Sequence, residues 1–140
     1  MYRKLTYMLF ALVAMLTLGS CTHNNGDIGP WFGHWKVTRI TIDGADDPGY
    51  GGDLFFSFQS SVIRVSQSFP ERNQSSSIYG NWEEHEGTMN VEFKEAFQSL
   101  LDYAHLDKQF VFTVVRRNGD KVLRYTAEDG KEYTYYLKKW

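Results

Sequence analysis

Three runs rich in β-branched and aromatic residues crowd into the last third of the chain: "QFVFTVVRR" (109–117), "KVLRYTA" (121–127) and "KEYTYYLKKW" (131–140). Only Asn118-Gly119 and Asp129-Gly130 mark the joins between them. Asn-Gly and Asp-Gly tolerate the positive φ of a type I′ turn, whose twist matches that of paired strands. Such runs form antiparallel hairpins, and this constrains everything before them.

The upstream sequence repeats the pattern. "HWKVTRITI" (34–42) stops at Asp43-Gly44. "DLFFSFQ" (53–59) and "SVIRVSQSF" (61–69) meet at the short polar step Ser60-Ser61, and "SSIYGNWEEHE" (76–86) and "TMNVEF" (88–93) flank Gly87. The expectation is an all-β domain of about eight strands joined by short connections. A meander of that length closes most easily into an antiparallel up-and-down barrel, and closure removes edges that would otherwise seed aggregation. A sandwich is the competing architecture, but Greek-key crossings need longer links than most of these. One segment has a different period. Phe93, Phe97, Leu100, Leu101 and Ala104 recur at helical spacing, which predicts one amphipathic helix of about three turns across an end or side of the sheet.

The N-terminal residues read as a leader. Arg3 and Lys4 precede a nearly uninterrupted apolar run, Leu5 to Leu18, followed by Gly19 and Ser20. The run is shorter than the roughly 18–20 residues needed to span a bilayer, and the order basic, apolar, small is that of a secretory signal. Residues 1–20 are therefore expected to be a signal peptide. The chain's single cysteine, Cys21, follows directly. A lone cysteine in an exported protein has no intramolecular disulfide partner, so lipidation is a natural use for it. "THNNGDIGP" (22–30) is polar and aperiodic, so residues 21–30 read as a flexible tether, with the barrel domain over 31–140. Formal net charge is −2, with no basic stripe, which argues against a nucleic-acid partner.

Leu18-Gly19-Ser20-Cys21 resembles the lipobox of bacterial lipoproteins. That resemblance implies diacylglycerol on Cys21, cleavage before it, and acylation of the new amino terminus. The membrane would then be a partner through the anchor at Cys21. Thr22, not aspartate, follows the cysteine, which under the same resemblance favours the outer membrane. No acidic run follows it, which favours the periplasmic face. Gly33-His34-Trp35 resembles the Gly-x-Trp signature of lipocalins and the wider calycin group. There the tryptophan closes the barrel base under a basic residue of the last strand, a role open to Lys138 or Lys139. The chain from 31 onward resembles the small lipocalin-like lipoprotein domains of gut Bacteroidetes, and "YAHLDKQFVFTV" (103–114) resembles their Tyr-x-x-Leu-Asp turn leading into a strand. The Thr-Asp-Tyr motif of larger lipocalins is missing, and the predicted helix precedes the last three strands instead of following them.

The interior is the candidate site. Trp35, Phe56, Phe58 and Tyr79 are read as inward-facing, as are Trp82, Phe112, Tyr125 and Tyr135, with Val114 beside them. At about eight strands such rings either fill a core or line a cavity for one small apolar or amphipathic molecule, and sequence leaves both open. Arg39, Arg64 and Arg124 fall mid-strand, and an inward one could hold a ligand carboxylate. "WEEHE" (82–86) puts Glu83 and His85 on one face, two ligands where a metal site needs three or four, so no metal or cofactor is expected. His34 and His105 stand alone, and no serine sits in a Gly-x-Ser-x-Gly elbow. "GYGGD" (49–53) precedes a strand, not a helix, so it reads as a loop at the barrel mouth instead of a phosphate cradle. No acid–base or nucleophile constellation emerges, so the expected function is binding and not catalysis. The other reading is a filled scaffold whose outer surface binds an envelope protein or glycan.

Overall fold

The computed structural model describes residues 2–8, 29–95 and 97–140. Residues 2–8 form an exposed helix, α1, and no helix among the described residues is long and apolar enough to cross a membrane. Cys21, the predicted lipidation site, and most of the predicted leader and tether lie outside the described residues.

From Gly33 onward the chain is a single antiparallel meander. Its strands are β1 (Gly33–Ile42), β2 (Ala45–Asp46), β3 (Leu54–Gln59), β4 (Val62–Phe69), β5 (Gln74–His85), β6 (Thr88–Phe93), β7 (Gln109–Arg116), β8 (Lys121–Thr126) and β9 (Glu132–Lys139). β2 is a stub paired with the end of β1. β3 through β9 then follow in sequence order, and β9 returns to pair with β1. The result is a closed eight-stranded up-and-down barrel with one extra strand. Because β1 pairs with β3 along its first half and β9 along most of its length, no long edge is left unpaired among the described residues.

The turns differ from expectation in an instructive way. Asp43-Gly44 and Glu86-Gly87 have positive φ at both positions, as a type I′ turn requires. At Asn118-Gly119 and Asp129-Gly130 only the glycine does. These two hairpins form, but through longer loops: Gly130 N donates to Ala127 O at 2.9 Å and Ala127 N to Lys131 O at 2.9 Å. The second helix, α2 (Gln98–Ala104), is shorter than its periodicity suggests. Phe93 is claimed by β6, where it pairs opposite Gly80, and Phe97 is an exposed N-cap residue.

Side-chain alternation sets the interior, with interruptions that the sequence hides. A bulge between Val37 and Arg39 moves β1's inward set from Trp35 and Val37 to Ile40. In β5 the inward residues are Ile78, Gly80 and Trp82. Tyr79 therefore points outward and is 55% exposed, which corrects its assignment to the interior. On a regular strand residues 79 and 82 lie on opposite faces, so both could not have been inside. Gly80 is buried where β5 presses on β6: a Cβ there would lie 2.3 Å from the backbone oxygen of Glu92.

Candidate functional site

The barrel has three regions along its axis. At one end α2 and the 47–53 loop form a lid. Leu100, Leu101 and Ala104 turn into the core, and the Tyr135 hydroxyl donates to Ala104 O at 2.6 Å. Tyr103 donates to Asp53 at 2.6 Å and accepts from Gly51 N at 2.8 Å, while His105 meets Asp47 at 2.8 Å. The glycine-rich loop, read as a cover for the mouth, is thus fastened to the helix. The Tyr-x-x-Leu-Asp stretch supplies these fastenings: Tyr103 holds the loop, Leu106 is buried, and Asp107 accepts from the Tyr125 hydroxyl. Burial, followed by its bond to Asp53, pushes the Tyr103 phenol up to about 12. Burial likewise raises Tyr50, Tyr125 and Tyr135.

The middle is packed with rings. Phe56, Phe112 and Tyr135 are fully buried, with centroid separations of 6.2, 5.7 and 5.5 Å, and Phe110 lies 4.8 Å from Phe112 edge-on. These are ordinary aromatic contact distances, so three of the predicted lining residues fill space against one another. Val114 is half-buried beside them. Tyr125 is buried with its hydroxyl already engaged by Asp107.

The opposite end is the base that Gly33-His34-Trp35 foreshadows. Trp35 donates to Trp31 O at 2.8 Å. Lys139 Nζ sits 4.9 Å from the Trp35 ring and donates to Phe32 O at 2.6 Å, so the last-strand cation is Lys139 and not Lys138. Gly33 has φ +118, and a Cβ there would fall 1.9 Å from Lys139 Nζ, which explains the glycine. A second cation, Lys121 of β8, lies 4.7 Å from Trp35 and 5.3 Å from Trp31 and caps the Arg117 and Gly119 carbonyls. Its pKa is lowered, by burial first and then by Arg117 and Lys139.

Beside this base a cleft of about 830 Å³ opens between the 29–32 segment and the β3–β4 and β5 rims. Trp31, Phe58 and Trp82 form its apolar wall, with ring centroids 5.4 Å apart for Trp31–Phe58 and 5.1 Å for Phe58–Trp82. Glu84 and Arg117 form its polar wall: Arg117 Nε lies 2.6 Å from one Glu84 oxygen, and the Trp31 indole donates to the other. The buried Trp82 indole N–H has no acceptor among the described residues. Of the predicted site residues, then, only Phe58 and Trp82 reach this cleft. Trp31, Phe32, Glu84 and Arg117 were not singled out. The alternation of "NWEEH" could have flagged Glu84, since it shares Trp82's face. Arg39, Arg64 and Arg124 all lie on the outer wall, where Arg39 pairs with Asp46 and Arg124 with Glu132 at 3.2 Å. Among the described residues no group of three or more His, Cys, Asp or Glu could hold a metal.

A closed eight-stranded meander, opened by Gly-x-Trp and sealed at the base by a tryptophan under a cation, defines a lipocalin-like barrel. Solved structures agree. The chain is similar to a lipocalin-like protein from Bacteroides uniformis ATCC 8492, with a TM-score of 0.63 and 15% identity over 80% of this chain and 100% of that one. It is also similar to an uncharacterized protein from Bacteroides eggerthii DSM 20697, with a TM-score of 0.59 and 16% identity over 79% and 99% of the two chains. At these identities the likeness concerns the fold. No family model and no curated protein matches the sequence.

Proposed function

We propose that the protein is an envelope lipoprotein, held to the outer membrane through acylated Cys21 on the periplasmic face, that binds a small apolar or amphipathic molecule at the tryptophan-lined rim of its barrel. The observation that carries the binding reading is the rim cleft. Its volume of about 830 Å³ suits a small-molecule ligand, and it pairs an aromatic wall with one polar edge. The ring-packed centre favours the rim over the axis as the place of binding. Anchoring rests on the lipobox-like Leu18-Gly19-Ser20-Cys21 and on the absence of aspartate at Thr22. Several acyl chains, at about 0.8 kcal/mol per buried CH₂, would hold the domain without a spanning helix.

Native mass spectrometry of the full chain, before and after exposure to an envelope lipid extract, tests the binding. A discrete added mass that Trp82→Ala removes is the expected result. No added mass ends the reading, and an added mass unchanged in Trp82→Ala moves the site elsewhere. Incorporation of an alkyne fatty acid that Cys21→Ser abolishes tests the anchor. The packed centre also favours the scaffold reading, in which the outer surface binds an envelope protein or glycan; co-purification of one stoichiometric partner without bound lipid would establish that instead.

A further inference from the structure

The outer wall carries a second cleft, of about 470 Å³, that shares Phe32, Phe58, Gln59 and Val62 with the rim cleft but differs in charge. Four side chains cross it in one transverse row, each directly opposite the next: His34 on β1, Ser57 on β3, Arg64 on β4 and Tyr79 on β5. No acidic residue lines it.

Arg64 is the centre of this row. The other strand arginines with half-buried or paired positions have acids: Arg39 has Asp46 and Arg124 has Glu132, while Arg117 at the rim has Glu84. Arg64 has no ion pair among the described residues. Its Nε–H is buried without an acceptor, and its one hydrogen bond runs from Nη2 to Ser57 Oγ at 3.5 Å, the outer limit for such a bond. Lys139 adds a second positive charge nearby: burial first, then Arg64 and Lys139, lower the pKa of His34, which is hydrogen-bonded to Ser57 and favours its neutral form. A guanidinium with spare donors in a partly dry, acid-free wall is built to receive an oxyanion. The rim of the same cleft is apolar: Phe32, Val62 and Tyr79 are exposed hydrophobic side chains, and His34 stacks on Phe55 at 4.9 Å and 4°. Exposed rings and a fork-shaped cation in one cleft suit a flat organic acid better than a bare inorganic ion.

We propose that the Arg64–Ser57–His34–Tyr79 row is a binding site for a compact organic anion with an apolar body, held by the guanidinium and covered by the surrounding rings. The row itself, His34, Ser57, Arg64 and Tyr79, lies outside the rim cleft, although the two clefts share Phe32, Phe58, Gln59 and Val62. The test is an NMR titration of the isotopically labelled full chain with benzoate, benzyl alcohol and inorganic phosphate. Benzoate is expected to shift the Arg64 Nε–Hε signal and the amides of the row, with benzyl alcohol and phosphate each at least tenfold weaker. Arg64→Gln should weaken benzoate at least tenfold and Arg64→Lys by less, while Arg124→Gln leaves it unchanged. Equal response to benzoate and benzyl alcohol, retention of binding in a folded Arg64→Gln variant, or shifts confined to Trp82 and Arg117 would each overturn the proposal. The three-probe comparison on the unmodified chain decides the matter even if Arg64→Gln does not fold.

Discussion

Truncating Phe112 to alanine separates a packed barrel from a hollow one. The ring has no exposed surface and meets Phe110, Tyr135 and Phe56 at 4.8, 5.5 and 6.2 Å. A buried aromatic removes about 150–200 Å² from water, which at about 25 cal/mol per Å² gives about 4–5 kcal/mol as an upper value. Measured Phe→Ala losses in close-packed cores of about 3–5 kcal/mol agree, because the residual cavity adds its own penalty. The expected loss is therefore about 3–5 kcal/mol in urea unfolding followed by tryptophan fluorescence, at an unchanged denaturant slope. Val111→Ala, one residue away but 48% exposed on the outer face, should stay within about 0.5 kcal/mol. In a hollow, ligand-ready barrel the same ring would line a void and its loss would cost little. A measured loss below about 1 kcal/mol for Phe112→Ala would refute the packed centre and return the ligand site to the axis.

Other outcomes follow from the same geometry. Gly80→Ala should destabilise by about 1–3 kcal/mol in thermal or urea unfolding, because the new Cβ meets the Glu92 backbone 2.3 Å away and backbone cannot step aside as a side chain can. A near-neutral result would mean that β5 does not bend onto β6 there. Glu84→Ala should cost about 1–3 kcal/mol, since it leaves the Trp31 indole N–H and Arg117 without their acceptor, and it should change the tryptophan emission; an unchanged spectrum would place Trp31 away from Glu84. Tyr103, pushed up to about 12 from an ordinary 10.0, favours the neutral form in the folded state. Its contribution is complete below pH 10.0 and is lost as pH rises toward about 12. Phenolate absorbance should therefore show a set of late-titrating tyrosines whose ionisation coincides with loss of the fold. Tyrosines that all titrate near the ordinary value in folded protein would contradict the lid.

The order of strands, the hairpin positions and the closure into a meander were legible in contiguous residues, because turn chemistry and β propensity act over a few positions at a time. The Gly-x-Trp start was legible for the same reason. What lies across the barrel was not. Trp31 meets Glu84, Arg117 meets the same carboxylate, and Lys121 covers Trp31 and Trp35, all pairs set by closure and register, not by sequence distance. The bulge after Val37 reversed the faces that alternation alone assigns to the end of β1, and in β5 the register chose which of the two alternating sets turned inward, which is why Tyr79 stands outside and Ile78 inside. Phe93 and Phe97 kept a helical period yet went to a strand and a cap, because pairing with β5 claimed the first. The sequence by itself determined a closed aromatic β-meander. Only the tertiary structure decided that the rings meet at the axis and that Arg64 is left without an acid, since both depend on which side chains the closed sheet brings face to face.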